Sequence, residues 1–183
     1  ATLTISTMAM KFVLKGLETP RLRFDLVNPD AFHACMAFFE DDRTHRYWKR
    51  SETNPLALGK QWYERQLQRY ALDLGGMNLL YEKSGEQLVG WCGLLVQEVD
   101  GRTELEIGYS LMPSAWGKGF ASEAATAARD VAWKEQYATS FISIIQVNNL
   151  PSQKVAMRVG MQRDGNTTYQ DNEVYIYRIH AAR

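Results

Sequence analysis

From Glu106 the chain reads Glu-Ile-Gly-Tyr-Ser-Leu-Met-Pro, then Ser-Ala-Trp-Gly-Lys-Gly-Phe-Ala-Ser to Ser122, a strand-like segment that runs straight into a glycine-bearing loop and opens an alanine-rich helical stretch. This order constrains the fold. The helix has to return its apolar stripe (Phe120, Ala124, Ala127, Ala128, Val131) to the sheet, and the strand after it then lies parallel to its partner. Phe141 to Val147, a nearly continuous apolar and β-branched run, fits such a strand covered on both faces. The loop has a second consequence. Free N–H groups at a helix start, with the favourable end of the helix dipole, bind anions, and Gly117 and Gly119 let that backbone approach oxygen atoms closely. Taken alone, the segment is equally a structural turn with Ser122 as a helix cap and Lys118 in solvent.

The rest of the chain alternates apolar and polar residues in recognisable blocks. Leu22, Phe24 and Leu26 alternate with Arg23 and Asp25, a half-buried first strand. Asn28-Pro29-Asp30 signals a helix carrying Phe32, Cys35, Met36 and Phe39. A second helix follows Asn54-Pro55, with Tyr63, Leu67, Tyr70, Ala71 and Leu74 expected on the buried face and Gly75-Gly76 expected to stop it. Asn78 to Glu82, Leu88 to Gln97 and Thr103 to Leu111 read as three antiparallel strands joined by turns at Lys83 to Glu86 and Asp100-Gly101. A short helix from Pro151 to Gly160 leads to strands at Met161 to Asp164 and Glu173 to Ile179, with Gly165-Asn166 the expected turn between them.

Composition removes several classes. The chain of 183 residues suits one domain, and no internal repeat or linker divides it. Lys plus Arg equals Asp plus Glu, 21 each, so no global field draws nucleic acid or an anionic membrane, and any anion site must be local. Cys35 and Cys92 read as small buried hydrophobes, and His33, His45 and His180 lack ligand spacing, so neither a disulfide framework nor a metal site is expected. No run approaches ~18 uninterrupted apolar residues, so a cytoplasmic protein is expected. Residues 1–16, with Lys11 and Lys15, read as an N-terminal extension, and residues 17–183 as one domain.

The loop at Trp116 lacks the Gly-Lys-Ser/Thr ending of a nucleotide-hydrolysing loop and does not follow the first strand of a repeated strand–helix–strand unit, which sets aside hydride transfer as well. Leu17-Glu18-Thr19-Pro20-Arg21-Leu22, the Glu106 to Ala121 segment, and Asn149-Leu150-Pro151-Ser152 with Lys154-Val155 and Gly160-Met161 together resemble the GNAT superfamily of N-acetyltransferases. Trp116, where members in general carry Gln or Arg, is similar to the Rim-type branch that includes ribosomal-protein N-terminal acetyltransferases. The resemblance implies a single α/β domain, a central mixed and mostly antiparallel twisted sheet of about six to seven strands with about four helices. It also implies acetyl-CoA as co-substrate, no metal, and direct attack of a primary amine in a ternary complex. The amine is that of a peptide or protein N-terminus or of a small molecule.

The resemblance further suggests site residues. A lysine-like amine has a pKa of ~10.4 and a peptide α-amine about 7.7 to 8.0, so a carboxylate helps remove the proton. Glu106, on the strand that looks like the family's catalytic strand, is the first choice, and Glu104 is the second. Main-chain N–H groups from Ile107 to Leu111 would stabilise the oxyanion, with Leu111 and Met112 pairing with the pantetheine arm. Trp116, Gly117, Lys118, Gly119, Phe120, Ala121 and Ser122 would hold the pyrophosphate. Ser152 would protonate the departing thiolate or hold the pantetheine, and Asn149 would bond the cofactor. Propensity alone makes both helix caps. Lys154, and less so Arg158, would meet the 3′-phosphate.

The acceptor would lie between Arg43 to Thr53 and Thr167 to Glu173. The first is basic and aromatic, suited to an acidic peptide or a carboxylate, a solvated loop or a subunit contact. It is too short, in a neutral chain, to argue for nucleic acid. A non-catalytic acyl-CoA sensor or interaction module of the same fold is the alternative, and both a monomer and a homodimer stay open.

Overall fold

The computed structural model describes residues 10–181. Seven strands and four α-helices follow one another as β1 (Leu22–Leu26), α1 (Phe32–Phe39), α2 (Pro55–Ala71), β2 (Gly75–Glu82), β3 (Gln87–Val99), β4 (Arg102–Leu111), α3 (Phe120–Lys134), β5 (Ser140–Gln146), α4 (Leu150–Val159), β6 (Gln162–Tyr169) and β7 (Asn172–His180). The sheet order is β1-β2-β3-β4-β5-β7-β6, and every neighbouring pair is antiparallel except β4 with β5. The mixed sheet and its four helices match the expected architecture. The crossover through α3 makes β5 parallel to β4, as the covered apolar run of β5 requires.

Period two assigns the faces. Trp91 on β3 packs against Phe38 and Phe39 of α1 and Trp62 of α2, so its face of the sheet carries those helices. Trp91 pairs with Ser110, and Leu95 with Glu106, which places Glu106 on the same face. Tyr109 points the other way and donates its hydroxyl hydrogen to the Ser152 carbonyl of α4 at 2.6 Å, on the face that α3 also covers.

Three local expectations need correction. The buried face of α2 is Leu58, Gly59, Trp62, Tyr63, Gln66 and Tyr70, whereas Leu67 and Ala71 are exposed. The stripe is rotated because Gln66 is buried for its hydrogen bond, accepting the Met77 N–H at 2.8 Å, which a hydrophobicity pattern counts as surface. Gly75-Gly76 starts β2 and does not end the helix, which stops at Leu72. The last hairpin turns at Gln170-Asp171, both with positive φ (48° and 63°), and not at Gly165-Asn166. Gly165 (φ 148°) sits instead at a register shift inside β6, a bulge that glycine accommodates.

Of the expected N-terminal extension, residues 10–16 pack on the domain, and residues 1–9 lie outside the described residues. Leu14 is buried, its N–H donating to Asn78 Oδ1, and Phe12 meets Tyr137 edge-on. Cys35 and Cys92 are both buried and unpaired. Among the described residues no helix is long and apolar enough to cross a membrane, and no three His, Cys, Asp or Glu side chains converge as metal ligands.

Candidate active site at the parting of two strands

β4 and β5 touch in register at one pair, Glu106 with Ile142, and then part. In an antiparallel ladder the hydrogen-bonding direction alternates along the strand. Met112 N–H donates to the Val89 carbonyl, so Ser110, Gly108 and Glu106 also bond toward β3, and the N–H groups of Tyr109 and Leu111 are turned toward the gap. Side chains tie the foot of the gap. The Ser143 hydroxyl donates to the Ile107 carbonyl at 2.7 Å, and the Ile144 N–H donates to the Glu106 carboxylate at 3.0 Å.

A cleft of about 410 Å³ passes through this opening, with Glu106, Ser110, Asn149 and Ser152 in its walls and Trp48, Trp62, Trp91 and Tyr169 toward the α1–α2 side. Glu106 is held from two directions, because Gln97 Nε2 also donates to it at 3.1 Å. Burial pushes its carboxyl above the ordinary glutamate range, against the Gln97 and Ile144 donors and the Arg69 charge, which favour the ionised form. Glu104 is on the same face, as expected, but is clamped by Arg178, whose two terminal nitrogens each lie 2.9 Å from a carboxylate oxygen. Both of its oxygens are committed to the Arg178 guanidinium and are not presented to a substrate.

Beyond Leu111 the chain makes a 3₁₀ turn, Pro113–Ala115, and enters the glycine loop, which lies past the cleft walls at the end of β4. Gly117 and Gly119 both take left-handed φ, 77° and 82°, and a side chain on Gly117 would meet only open space. Gly119 is the N-cap of α3 and supplies no side-chain bond, which leaves the first-turn N–H groups of Phe120, Ala121 and Ser122 without a capping partner. Ser122 therefore does not cap the helix, and its buried hydroxyl oxygen is without a partner. Phe120 itself is a core side chain, so only its main chain faces the loop. Trp116 is half-exposed and donates its indole N–H to the Leu111 carbonyl at 3.0 Å. Lys118 is exposed.

Asn149 caps α4, its Oδ1 accepting the Ser152 N–H at 3.3 Å, while the Ser152 side chain stands at the cleft. Lys154 is exposed on α4 outside the cleft, as is Arg158. The two expected acceptor segments meet: Asn172 Nδ2 donates to the Tyr47 carbonyl, closing the hairpin tip onto the α1–α2 loop.

The pattern of parted strands and uncapped glycine loop is matched by the sequence as a whole, for residues 21–162 fit the acetyltransferase (GNAT) domain family. The chain belongs to the GNAT family. The uncharacterized protein YkkB of Bacillus subtilis (strain 168) is 28% identical over 116 residues, 63% of this chain and 66% of that one, so the chain spans less than two thirds of this relative's length. The fold is also that of an acetyltransferase from Agrobacterium tumefaciens str. C58, with a TM-score of 0.76 at 23% identity over 91% of this chain and 95% of that one. RimL, a ribosomal L7/L12 alpha-N-protein acetyltransferase solved with coenzyme A, superposes with a TM-score of 0.72 at 14% identity over 90% and 97%.

Several GNAT-site residues escaped the sequence reading. Arg21 donates its Nε to Glu123 at 2.7 Å and Nη1 to the Lys118 carbonyl at 2.8 Å, with its guanidinium over the Phe120 ring, and Thr19 donates to the same Glu123. This clasp holds the glycine loop against the first strand, but nothing local links positions so far apart in the chain. Burial raises the Glu123 carboxyl, yet the Thr19 and Arg21 donors outweigh it and leave it below the usual range. On the other side Arg69 donates to the Leu74 and Val96 carbonyls and to Gln97 Oε1, which also receives the Tyr169 hydroxyl. Arg69 fell outside the apolar stripe expected of its helix.

Proposed function

We propose that the protein transfers the acetyl group of acetyl-CoA to a primary amine by direct attack with both substrates held at once. One observation carries this reading: a single strand, β4, holds a half-fixed carboxylate, Glu106, in the wall of the cleft and runs on into a helix start whose N–H groups have no capping partner and whose two glycines are left-handed. Acetyl-CoA, when bound, supplies the electrophilic thioester carbonyl. The loop from Trp116 to Ala121 and the N–H groups through Ser122 hold its pyrophosphate, with Lys118 beside it and Lys154 reaching the 3′-phosphate. Leu111 and Met112, the last residues before the loop, bond the pantetheine arm, and Asn149 stands at the same opening. Glu106 takes one proton of the ammonium, the amine nitrogen bonds to the acetyl carbon as the carbon–sulfur bond breaks, and the Ser152 hydroxyl passes a proton to the leaving thiolate and is reprotonated, through solvent, by the second proton lost from nitrogen. The N–H groups of Tyr109 and Leu111, turned toward the gap, face the developing oxyanion.

The acceptor is the α-amine of a peptide or protein N-terminus, as RimL's name states for that protein, or a small-molecule amine. Release of free thiol from acetyl-CoA, measured with a panel of α-amino peptides, amino acids and alkylamines, tests the proposal. Thermal stabilisation by acetyl-CoA with no thiol release from any acceptor would make the protein an acyl-CoA-binding module.

A further inference from the structure

The chain is electrically balanced, 21 basic against 21 acidic residues, but the walls of the cleft are not. Lys49, Arg50, Arg65 and Arg69 line it, and Glu106 is the one carboxylate among its lining residues. Among the described residues none of these four cations has a carboxylate at ion-pair distance, whereas Arg21, Arg23, Arg43, Arg129 and Arg178 all do. Arg65 and Arg69 stand one turn apart on the same side of α2, a like-charge spacing that weakens a helix, and the carboxylate whose charge Arg69 feels is Glu106 itself. Arg69 is aimed by neutral acceptors only, the Leu74 and Val96 carbonyls and Gln97 Oε1. Gln97 in turn donates to Glu106, so the anchored cation and the carboxylate share one bridging amide.

These charges are not placed for the phosphates of coenzyme A. Gln97 is in register with Glu104, and the glycine loop begins only after Leu111. At roughly 3.3 Å per residue the Gln97 anchor of Arg69 is therefore about 23 Å from the start of the glycine loop along β4. Arg69 is anchored at Val96 and Gln97, on the far side of Glu106 from the loop, and Arg65, Lys49 and Arg50 line the same cleft with Trp48 and Tyr169 as aromatic walls. A plain amine, itself cationic in water, is repelled by such a mouth, but an amine that carries its own anion is drawn in and oriented.

We propose that the acceptor bears, on the same molecule as its amine, a carboxylate or phosphate that Arg65 and Arg69 bind while the amine faces Glu106. This rests on the transfer reading above. Two sources share the chemistry, the main-chain carboxylate of a small amino compound and an acidic side chain near a peptide N-terminus.

Matched acceptors separate them: alanyl-alanine against alanyl-alanine amide, and alanyl-aspartyl amide against alanyl-asparaginyl amide, each assayed for kcat/KM by thiol release at low salt. The anionic member of at least one pair is expected to be favoured about tenfold, with the preference shrinking in Arg65→Gln and at high ionic strength. The pair that shows it names the source. Equal rates within both pairs, or a preference unchanged in both Arg65→Gln and Arg69→Lys, overturn the inference while leaving transfer intact. If no acceptor is acetylated, transfer fails instead. The inference is then decided by titrating the same pairs, with coenzyme A present, against the fluorescence of the cleft tryptophans, where equal affinities refute it.

Discussion

The glycine loop beyond β4 and the cleft around Glu106, the proposed donor and acceptor ends of the site, are built by different means. The donor end is made of backbone: two left-handed glycines and an uncapped helix start, all between Trp116 and Ser122. The acceptor end is made of side chains from four places, the α1–α2 loop, α2, β3 and the β6–β7 hairpin. A backbone site tolerates change in most side chains but not in main-chain conformation, whereas a side-chain site has the reverse sensitivity. Glu106 stands between them and belongs to neither.

That division can be broken by experiment. The largest effect is expected from Glu106→Gln, which should lower turnover by about 10²- to 10³-fold while leaving the acetyl-CoA dissociation constant within twofold or so of its original value. Loss of cofactor affinity instead would make Glu106 a brace for the parted strands through its bond to Ile144. The pH profile sharpens the point. Burial raises the Glu106 pKa, so the stability linked to it is fully present below the ordinary glutamate range and is lost as pH rises through the raised value. Activity should rise across that same raised value, and in Glu106→Gln this limb should vanish and leave only the higher rise from deprotonation of the amine.

Glu104→Ala, two residues away, should act on stability rather than chemistry. Removing one of the two carboxylate partners of Arg178, which keeps Asp164, should cost about 1–3 kcal/mol, read as a lowered unfolding midpoint in urea. At the donor end Gly119→Ala forces a side chain into left-handed φ and should cost about 1–2 kcal/mol of loop conformation, weakening acetyl-CoA roughly tenfold without touching the acceptor KM. If the affinity holds, the loop's backbone shape is not the recognition device. At the acceptor end Asn172→Ala releases the hairpin from Tyr47 and should raise the acceptor KM only a few fold, on the order of 1 kcal/mol for one hydrogen bond, with acetyl-CoA binding unaltered.

How legible each end was follows from the same contrast. Gly117, Gly119 and the helix after them are neighbours in the chain, so their joint meaning could be read from a short window. Asn149 likewise carried its cap signal in place. Arg69 and Gln97 carried no such mark, because each was judged by the pattern of its own segment, and Tyr169 was marked only as part of the expected acceptor segment Thr167 to Glu173. The α2 stripe was misjudged because Gln66 is buried for a hydrogen bond, and the final turn was misplaced because Gly165 serves a bulge while Gln170 and Asp171 accept the strained φ.

The sequence by itself determined the element order, the one parallel pairing forced by the α3 crossover, and the glycine loop at the head of a helix, since each depends on periodicity, propensity and contacts between near neighbours. Only the tertiary structure decided which glutamate stays free, for Arg178 neutralises Glu104 from another strand while Gln97 and Ile144 merely hold Glu106. It also decided that four cations of a neutral chain line one cleft. Charge adds up along a sequence without position, but its field depends on distance, and distance is set when the segments pack.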